Sequence, residues 1–322
     1  MKTEELRTLD PSAPVDGYYI LNDVFEGRTA KDEPYLSGKL FDASGSLPFK
    51  FWNYQGQLGD LNDINGTIAH VKGTMDSYRG EPQVNVSEIE RVPDWESNPD
   101  VHIEELVPTA HIDVDKWYHW LHEQGEKMED EDYKKLYLHF LNKYEKEYRT
   151  LPAAKSVHHG FRSGLLMHTV NMMRLGKSAQ QIYPYMVDRD LLLTGILLHD
   201  IAKKDEFKVS DLGLVTEYTT PGDLLGHLYM GAREVAKDAE KLGIPEDKSM
   251  LVEHMILSHH GKPEYGAVKV PQFAEAELLA LIDNMDSTME QYAENLPAIE
   301  PGGFSDRRLF GLGKRIYKPE KQ

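Results

Sequence analysis

Five stretches between residues 15 and 92 alternate between apolar and polar positions, which is the pattern of strands with one buried face. Gly, Pro, Asp and Asn residues separate the stretches and mark turns. The stretches are YYILNDVFEG, YLSGKLFDA, LPFKFWNY, GTIAHVKGTMDSY and PQVNVSEIE. The pattern therefore predicts a small all-β domain over residues 15–92.

The number and order of these strands predict an OB-type β-barrel, because a weak helical stretch at 57–63 falls between the third and fourth strands. In the third strand, Leu47, Phe49 and Phe51 point to one side, which we assign to the core. The opposite face has the residue types that stack bases and hold phosphates, although its aromatic side chains could instead cover a barrel end or a contact between domains. The candidate nucleic-acid-binding residues on this face are Lys39, Phe41, Lys50 and Trp52.

The rest of the chain has a helical pattern. Residues 93–112 contain three prolines and several acidic residues, a composition typical of a linker between domains. From Asp113 onward, apolar positions recur at helical spacing, first in a connecting segment, 113–156, and then in a second domain, 157–310, followed by a tail, 311–322. The predicted fold class is multidomain α and β, with a five-stranded barrel followed by an all-α domain.

Composition narrows the class of protein. The length of 322 residues fits about two domains, and the polar start of the chain, MKTEELRTLDPSAP, has no signal-peptide core. No apolar run approaches the roughly 20 residues that a membrane-spanning helix needs. The chain has no cysteine, which removes disulfides, thiol catalysis and thiolate metal sites. We therefore expect an intracellular protein without a membrane partner.

The net charge of −18 argues against broad electrostatic attraction to a polyanion. A nucleic-acid-binding function would therefore depend on local basic or aromatic features, or on metal ions. The residues after Pro301 form the most basic piece of the chain, and the sequence leaves open whether they bind RNA or dock onto a neighbouring subunit. The basic residues there are Arg307, Arg308, Lys314 and Arg315.

Histidine is concentrated in the second domain, where eight of the 14 histidines lie between His158 and His260. In the stretch TGILLHDIAKK, His199 and Asp200 interrupt a nearly continuous apolar helix. Burying a lone carboxylate costs several kcal/mol unless another group compensates its charge. This pair therefore indicates that a group from elsewhere compensates the charge of Asp200.

Imidazole and carboxylate groups occur on five predicted apolar helices, so that their desolvation costs would accumulate. A divalent metal offsets these costs together, because it binds neutral imidazole nitrogens and carboxylate oxygens and supplies positive charge. The sequence therefore predicts a metal site. Its candidate ligands are His168, His199, Asp200, His227, His259, His260 and Asp283.

The order H…HD…D in a helical domain resembles the signature of the HD phosphohydrolases, and the additional histidines resemble the two-metal members of that superfamily. Nearly the whole chain resembles the YhaM-type 3′→5′ exoribonucleases, which have an OB-like domain, a linker and an HD domain. The stretches that carry this resemblance are HHGFRSGLLMHT, GLLMHTVNMMRL, RDLLLTGILLHDIAK, LLGHLYMGA, MILSHHGKPEYG and GGFSDRRLFGLGKRIYKP. Ser163 departs from the glycine expected there, and the change is small.

The resemblance implies a cytoplasmic, manganese-dependent enzyme that degrades single-stranded RNA from the 3′ end to nucleoside 5′-monophosphates. Single-stranded DNA as a second substrate and a homo-oligomeric assembly stay open. Two metal ions would supply a nucleophilic water, neutralise the phosphoryl oxygens and assist the leaving oxygen. We assign Asp200 as the catalytic bridging ligand because other ligands flank it on both sides in the sequence. One ion would take His168, His199 and Asp283, and the other would take His227, His259 and His260.

Residues beside the HD pair are further candidates. Lys203 follows Asp200 by three residues and shares its helical face, so we expect it to stabilise the scissile phosphate, against the alternative of a surface lysine at a helix C-terminus. We treat Lys204 as solvated, His254 as structural and Asp286 as a carboxylate that supports a ligand. Three residues upstream would grip phosphate or ribose, against capping or packing roles. They are His158, His159 and Arg162.

Two other functions stay open from the sequence. The HD superfamily includes phosphohydrolases that act on small nucleotides or cyclic dinucleotides, and the barrel would then be a regulatory or assembly module. The third interpretation is a nucleic-acid-binding protein that uses the HD domain only as a scaffold. Its weakness is that every expected ligand is present, whereas a degenerate site would usually lack one or more.

Overall fold

The computed structural model divides the chain into two compact units, Met1–Thr109 and Ala110–Gln322. The helical stretch predicted at 57–63 lies partly outside the residues that the structure describes, and His158 and His159 lie wholly outside them. The side chain of Thr216 is also not described. The described residues are 1–29, 31–52, 54–56, 58–59, 61, 64–154, 160–309 and 311–320.

The described part of the N-terminal unit contains five strands that close into a barrel. The strands are β1 (Pro14–Arg28), β2 (Pro34–Asp42), β3 (Gly45–Phe51), β4 (Thr67–Tyr78) and β5 (Glu81–Arg91). Their order around the barrel is β1-β2-β3-β5-β4, and β4 pairs with β1 to close it. β3 and β5 run parallel, and the other pairs are antiparallel. This closed barrel confirms the predicted OB-type fold.

Side chains alternate between the barrel interior and its surface. Leu47 and Phe49 are fully buried and Phe51 is nearly so, as the sequence pattern predicts, whereas Trp52 is 46% exposed. Burying each large apolar side chain contributes about 1.5–3 kcal/mol to stability. The interior rows therefore fix the register of β3, because a shift by one residue would turn its core side chains to solvent.

Two short helices pack on the barrel. α1 (Thr3–Leu6) lies against β2 and β3 and buries Leu6, and the Thr3 hydroxyl donates to Asp42 over 2.7 Å. α2 (Ile103–Leu106) lies against β1 and β2 and buries Leu106. This part of the stretch between the domains is therefore packed on the barrel.

The second unit consists of helices and one small hairpin. Among the described residues, no helix combines the length and the apolar character that crossing a membrane requires. The hairpin pairs β6 (Phe207–Val209) with β7 (Val215–Tyr218), antiparallel. The helices are α3 (Val114–Glu126), α4 (Glu131–Lys143), α5 (Glu145–Thr150), α6 (Gly164–Ile182), α7 (Arg189–Leu198), α8 (Lys203–Glu206), α9 (Thr220–Leu242), α10 (Glu246–Ser258) and α11 (Ala274–Asn295).

Helix α7 lies at the centre of the second unit, in contact with α4, α6, α10 and α11. The Asp188 side chain caps its start by accepting from the backbone N–H groups of Asp190 and Leu191. Every residue from Asp190 to Leu198 is buried. A helix that is apolar on all sides is stable only inside a core. Its C-terminal end, where the HD pair follows, is therefore also inside the protein.

The sequence-based treatment of Lys204 as solvated is wrong. Its ammonium group lies 3.1 Å from Oε2 of Glu234 and 4.4 Å from the ring centre of Tyr144, and its side chain is mostly buried. Lys143 lies in the same ion-pair network, 2.8 Å from Glu234. Because these partners come from α4, α9 and the turn before α5, the network ties α8 to three other segments.

The approach of β4 to β5 at Gly73 gives a test of the barrel. A Cβ atom at Gly73 would overlap the carbonyl oxygen of Asn85. We expect Gly73→Ala to lower the free energy of unfolding by about 1–3 kcal/mol, because the two backbones would have to separate. Urea denaturation measures this loss. Ser77→Ala, which is exposed on the same strand, serves as the control with a change within about 0.5 kcal/mol. Equal stability of Gly73→Ala and wild type would contradict the described packing.

Candidate metal centre

The structure gathers the seven predicted ligands around one mostly buried point of the second unit. Three lie within helices, and four lie in the two turns where α7 and α10 end. The helical three are His168 on α6, His227 on α9 and Asp283 on α11. The four in turns are His199, Asp200, His259 and His260.

Asp200 lies between the two groups of histidines. Its Oδ2 atom is 3.2 Å from Nε2 of His199 and 3.9 Å from Nε2 of His168. Its Oδ1 atom is 3.6 Å from Nε2 of His227 and 3.7 Å from Nε2 of His259. Each carboxylate oxygen therefore faces a different set of imidazoles, which is the arrangement that a bridging ligand needs.

Three groups of donor atoms each lie within 4.8 Å of one another. The first is His168, His199 and Asp283, the second is His227, His259 and His260, and the third, which joins them, is His199, Asp200 and His259. Imidazole nitrogens and carboxylate oxygens suit divalent transition metals. The donor set is therefore that of a divalent-metal site.

Buried polar atoms without partners support the same interpretation. Among the described residues, Oδ1 of Asp200, Nε2 of His227 and Nδ1 of His260 are buried and have no hydrogen-bond partner. Leaving a buried polar atom unsatisfied costs about 1–3 kcal/mol. All three belong to predicted ligands, so a cation between them would satisfy the atoms that the protein leaves unpaired.

The opposite ring nitrogens of the histidines are held by hydrogen bonds. Nδ1 of His199 donates to the carbonyl of Ile196, and Nδ1 of His259 donates to the carbonyl of Ile256, both over 2.8 Å. Each acceptor lies three residues earlier in the chain, at the last turn of its helix. These bonds fix the tautomer and direct Nε2 of both rings toward Asp200.

Two carboxylates orient the remaining histidines. Oδ2 of Asp286 accepts from Nδ1 of His168 over 2.7 Å, as the supporting role expected for Asp286 requires. Oε1 of Glu206 accepts from both the backbone N–H and Nδ1 of His227, over 3.1 and 3.0 Å. Glu206 was not among the residues predicted from the sequence, because no helical spacing relates it to His227 across the intervening hairpin.

Gly226 explains how His227 enters the site. The residue has φ +70°, so it breaks α9 immediately before His227. Glycine populates this left-handed region without steric cost. The backbone N–H of His227 is consequently free of the helical hydrogen-bond pattern and donates to Glu206.

Electrostatics at the centre stabilise the charged carboxylates. Burial alone would raise the pKa of Asp200, but the positive charge of Lys203 and the contact with His199 hold it well below its usual value. Burial also opposes the charged form of His168, yet the carboxylates of Asp283 and Asp286 raise its pKa to about 9. A metal at His168 would therefore displace a proton.

The pKa values of the paired histidines shift in the opposite direction. Burial is the main cause that lowers the pKa of both His259 and His260, and the neighbouring imidazoles add to it. Both rings are therefore neutral near pH 7, which is the protonation state that binds a metal.

Lys203 contacts the candidate bridging carboxylate. Its Nζ atom lies 2.6 Å from Oδ2 of Asp200, and its side chain is largely buried. The spacing of three residues thus brings the two groups together as expected. Buried lysine ammonium groups require a negative partner, so Lys203 is not the surface lysine of the alternative interpretation.

An open cavity of about 720 Å³ leads to the candidate metal ligands. Asp200, His227, His259, His260 and Asp283 line its floor with Lys203 and Glu206. The walls contain aromatic and polar side chains that were not predicted as site residues, although Ser287 follows Asp283 by one helical turn and could have been found from that spacing. The aromatic ones are Phe207, Tyr218 and Tyr265, and the polar ones are Asn284, Ser287, Thr288 and Gln291.

Arg162, the one upstream candidate among the described residues, does not line this cavity, and His254 makes structural contacts. The Arg162 side chain lies against Gly213, in the turn of the β6–β7 hairpin, and Arg162 is not among the described residues that line the cavity. His254 accepts a hydrogen bond from the backbone N–H of Gln272 and lies beside the ring of Phe273. Its contacts are those of a structural residue.

The outward face of the barrel carries an aromatic cluster, which consists of Phe25, Tyr35, Trp52 and Lys50. The rings of Tyr35 and Trp52 are 5.1 Å apart, and Nζ of Lys50 lies 4.6 Å from the ring centre of Tyr35 and 5.9 Å from that of Phe25. Phe25 is 54% exposed. The cross-strand register produces the cluster, because Phe25 pairs with Ser37 and Ser37 pairs with Lys50.

The other two predicted residues of this face lie apart from the cluster. Phe41 pairs with Ser46, which is six residues before Trp52, or about 20 Å along an extended strand. Lys39 forms an ion pair of 2.8 Å with Asp23 on β1. Sequence alternation found the face, but it did not identify which residues meet across the strands.

Comparison with known proteins gives one consistent result. A family model described as HD domain matches residues 165–288. The chain is similar to proteins named 3′-5′ exoribonuclease YhaM. It is 35% identical over 306 residues to the one from Bacillus licheniformis, and the match covers 95% of both chains. It is 34% identical over 306 residues to those from Bacillus subtilis and Listeria innocua, again with 95% of each chain covered.

The contact between Glu206 and His227 gives a test of the centre. We expect Glu206→Gln to weaken binding of Mn²⁺ by about 10- to 100-fold, because the amide no longer holds the His227 tautomer with a charged acceptor. Isothermal titration of the metal-free protein measures the affinity. Glu217→Gln removes the same charge from an exposed ion pair on the hairpin and should leave the affinity within about twofold. Equal affinities of both variants would contradict an orienting role for Glu206.

Proposed function

Because the chain belongs to the YhaM family of 3′-5′ exoribonucleases, we propose that it hydrolyses single-stranded RNA from the 3′ end and releases nucleoside 5′-monophosphates. The observation that carries the proposal is Asp200, whose two oxygens face two separate sets of imidazoles at the floor of an open cavity. Such a site suits hydrolysis of a phosphodiester, because the negative charge on the phosphoryl oxygens has to be stabilised.

The proposed reaction is hydrolysis of the terminal phosphodiester bond. Water adds to phosphorus, the P–O3′ bond breaks, and a proton ends on O3′ of the shortened strand. The released nucleotide keeps the 5′-phosphate. Divalent ions held by the seven ligands would supply Lewis acidity and an activated nucleophile.

The residues of the chain have separate roles in this proposal. Asp200 joins the two ligand groups, and Lys203 contributes positive charge toward the non-bridging phosphate oxygens. Lys203 and Asp200 are 2.6 Å apart, and both line the cavity, so a phosphate at the floor would meet both groups. Glu206 and Asp286 act as positioning residues, since each accepts a hydrogen bond from a candidate ligand histidine.

The cavity supports an end-directed reaction on a single strand. Its volume of about 720 Å³ is within the range of small-molecule pockets, which suits a terminal nucleotide better than a duplex. The exposed rings of Tyr218 and Tyr265 offer stacking surfaces for a base. The polar side chains of α11 offer hydrogen bonds to the sugar.

Several finer properties belong to the same proposal. We propose two ions for each chain, with Mn²⁺ as the native metal, because the donor atoms form two groups joined by Asp200. RNA as the preferred substrate over single-stranded DNA, a cytoplasmic location and a homo-oligomeric assembly are further parts of the proposal, and they rest on the family resemblance.

The barrel would hold the part of the strand that is away from the cleaved end. The exposed rings of Phe25 and Trp52, with the half-buried ring of Tyr35 beside them, suit stacking with bases of any sequence, and Lys50 suits a phosphate. OB-fold barrels bind oligonucleotides on the face of strands 2 and 3, and Tyr35 and Lys50 lie on those two strands here.

The first experiment follows a 5′-labelled single-stranded RNA with Mn²⁺ present. We expect a ladder that shortens from the 3′ end, and we expect Asp200→Ala to reduce the rate by at least about 10³-fold, because both ligand groups lose their shared carboxylate. Chelation of the metal should stop the wild-type reaction. Hydrolysis of mononucleotides with intact RNA would instead indicate the small-nucleotide phosphohydrolase.

A second experiment tests the aromatic cluster of the barrel. We expect Trp52→Ala to raise KM for a 20-nucleotide RNA by about 5- to 100-fold with little change in kcat, because one stacked base contributes about 1–3 kcal/mol. Steady-state kinetics on the labelled RNA measures both constants. Tyr78→Ala, which removes an exposed ring at the end of β4, is the control. Equal KM values for Trp52→Ala and wild type would exclude RNA binding at this cluster.

A further inference from the structure

The C-terminal loop, residues 301–318, differs in charge from the rest of the chain. Residues 301–322 contain six Lys or Arg and two Asp or Glu, whereas the whole chain contains 36 and 54. A surface cluster of positive charge contributes little to the stability of a protein, because even exposed ion pairs contribute little. It does attract a polyanion to one place.

The loop folds back on itself and is fixed at its base. The backbone N–H of Gly302 donates to the carbonyl of Lys318, and that of Ser305 donates to the carbonyl of Ile316. Ser305 and Ile316 are buried, and the Ser305 hydroxyl accepts from the backbone N–H of Ile316. The loop is therefore a defined structure with a buried base and an exposed outer surface.

The outer surface of the loop carries four cations. Arg307, Arg308, Lys314 and Arg315 are all exposed. Within the described part of the chain, no carboxylate lies in ion-pair distance of any of the four. Several other cations of the second unit, such as Lys143 and Lys248, are already paired with carboxylates. The four cations of the loop are thus available to external anions.

Exposed aromatic rings lie beside these cations. Phe304 and Tyr317 are 56% and 45% exposed, and their ring centres are 4.9 Å apart. The guanidinium of Arg315 lies 5.2 Å from the ring centre of Phe304. Unpaired cations next to exposed rings are the combination with which proteins bind single-stranded nucleic acid.

The loop also borders the catalytic cavity. Gly311 is one of its lining residues. Nζ of Lys314 lies 5.8 Å from the ring centre of Tyr292 on α11. Tyr292 follows the candidate ligand Asp283 by nine residues, or about 14 Å along the helix, which is roughly four stacked nucleotides at 3.4 Å each.

We propose that the C-terminal loop is a second RNA-binding surface, which holds the phosphates and bases a few nucleotides upstream of the cleaved bond. This inference rests on the proposed function. It assigns to the loop the role of retaining the strand between successive cleavages, with Arg307, Arg308 and Lys314 on phosphates and Phe304 and Tyr317 on a base. The alternative, a docking surface for another subunit, becomes an outcome of the test.

The test uses a full-length variant with Arg307→Gln, Arg308→Gln and Lys314→Gln. These changes leave Arg315 in place, since its Nε donates to the carbonyl of Ser305 and supports the loop. Substrates are a 20-nucleotide RNA and a dinucleotide, which is too short to reach the loop. We expect the ratio of kcat/KM for the long to the short substrate to fall by about tenfold, mainly through KM.

Salt dependence gives an independent measurement on the same proteins. The slope of log(kcat/KM) for the 20-nucleotide RNA against log salt should become shallower by about 2, because three phosphate contacts on a single strand each contribute roughly 0.7. A control removes two exposed charges elsewhere in the second unit, through Lys146→Gln and Lys237→Gln. The control should keep the wild-type ratio of the two substrates.

The outcomes separate the two proposals. If wild-type protein with bound metal hydrolyses neither substrate, the proposed function fails. If wild type degrades both and the loop variant keeps the wild-type ratio and salt slope, the loop inference is overturned. A loop variant with a wild-type ratio but a smaller mass by light scattering would assign the loop to subunit docking, which also overturns it.

Discussion

The buried carboxylate of Asp200 is the constraint on which the catalytic unit depends. It follows a helix that is buried along its length and is itself almost fully buried, so water cannot solvate its charge as it would at the surface. Lys203 balances part of its charge, and imidazoles from three other helices face both of its oxygens. A site of this kind forms only when several separate segments pack correctly, which couples the fold of the unit to its chemistry.

Hydrogen bonds from neighbouring groups hold the candidate ligand histidines in position. Backbone carbonyls orient His199 and His259, while Asp286 and Glu206 orient His168 and His227. Each hydrogen bond fixes one ring nitrogen, so that the other is directed to the centre. The break at Gly226 serves the same purpose, because it frees the backbone of His227 to reach Glu206. Hydrogen bonds within the protein therefore orient the candidate ligand rings.

An acidic enzyme that acts on RNA needs local features that bind a polyanion. The chain has a net charge of −18, so general attraction cannot hold RNA. Within the described part of the chain, cations without a carboxylate partner lie beside exposed rings on the barrel face around Trp52 and on the C-terminal loop around Phe304. Stacking depends little on net charge, and a repulsive surface elsewhere would limit binding at other places.

The sequence by itself determined the strand and helix classes, the OB order and the seven candidate ligands, because periodicity and the desolvation of charge are local in origin. The tertiary structure alone decided which oxygen of Asp200 faces which histidine, that Lys204 is buried, and that Phe25 and Tyr35 join Trp52 while Phe41 does not. Glu206 also emerged only from the fold, since a hairpin separates it from His227. Such contacts join residues that are distant along the chain, and only the packing of helices and the register of strands specify their distances.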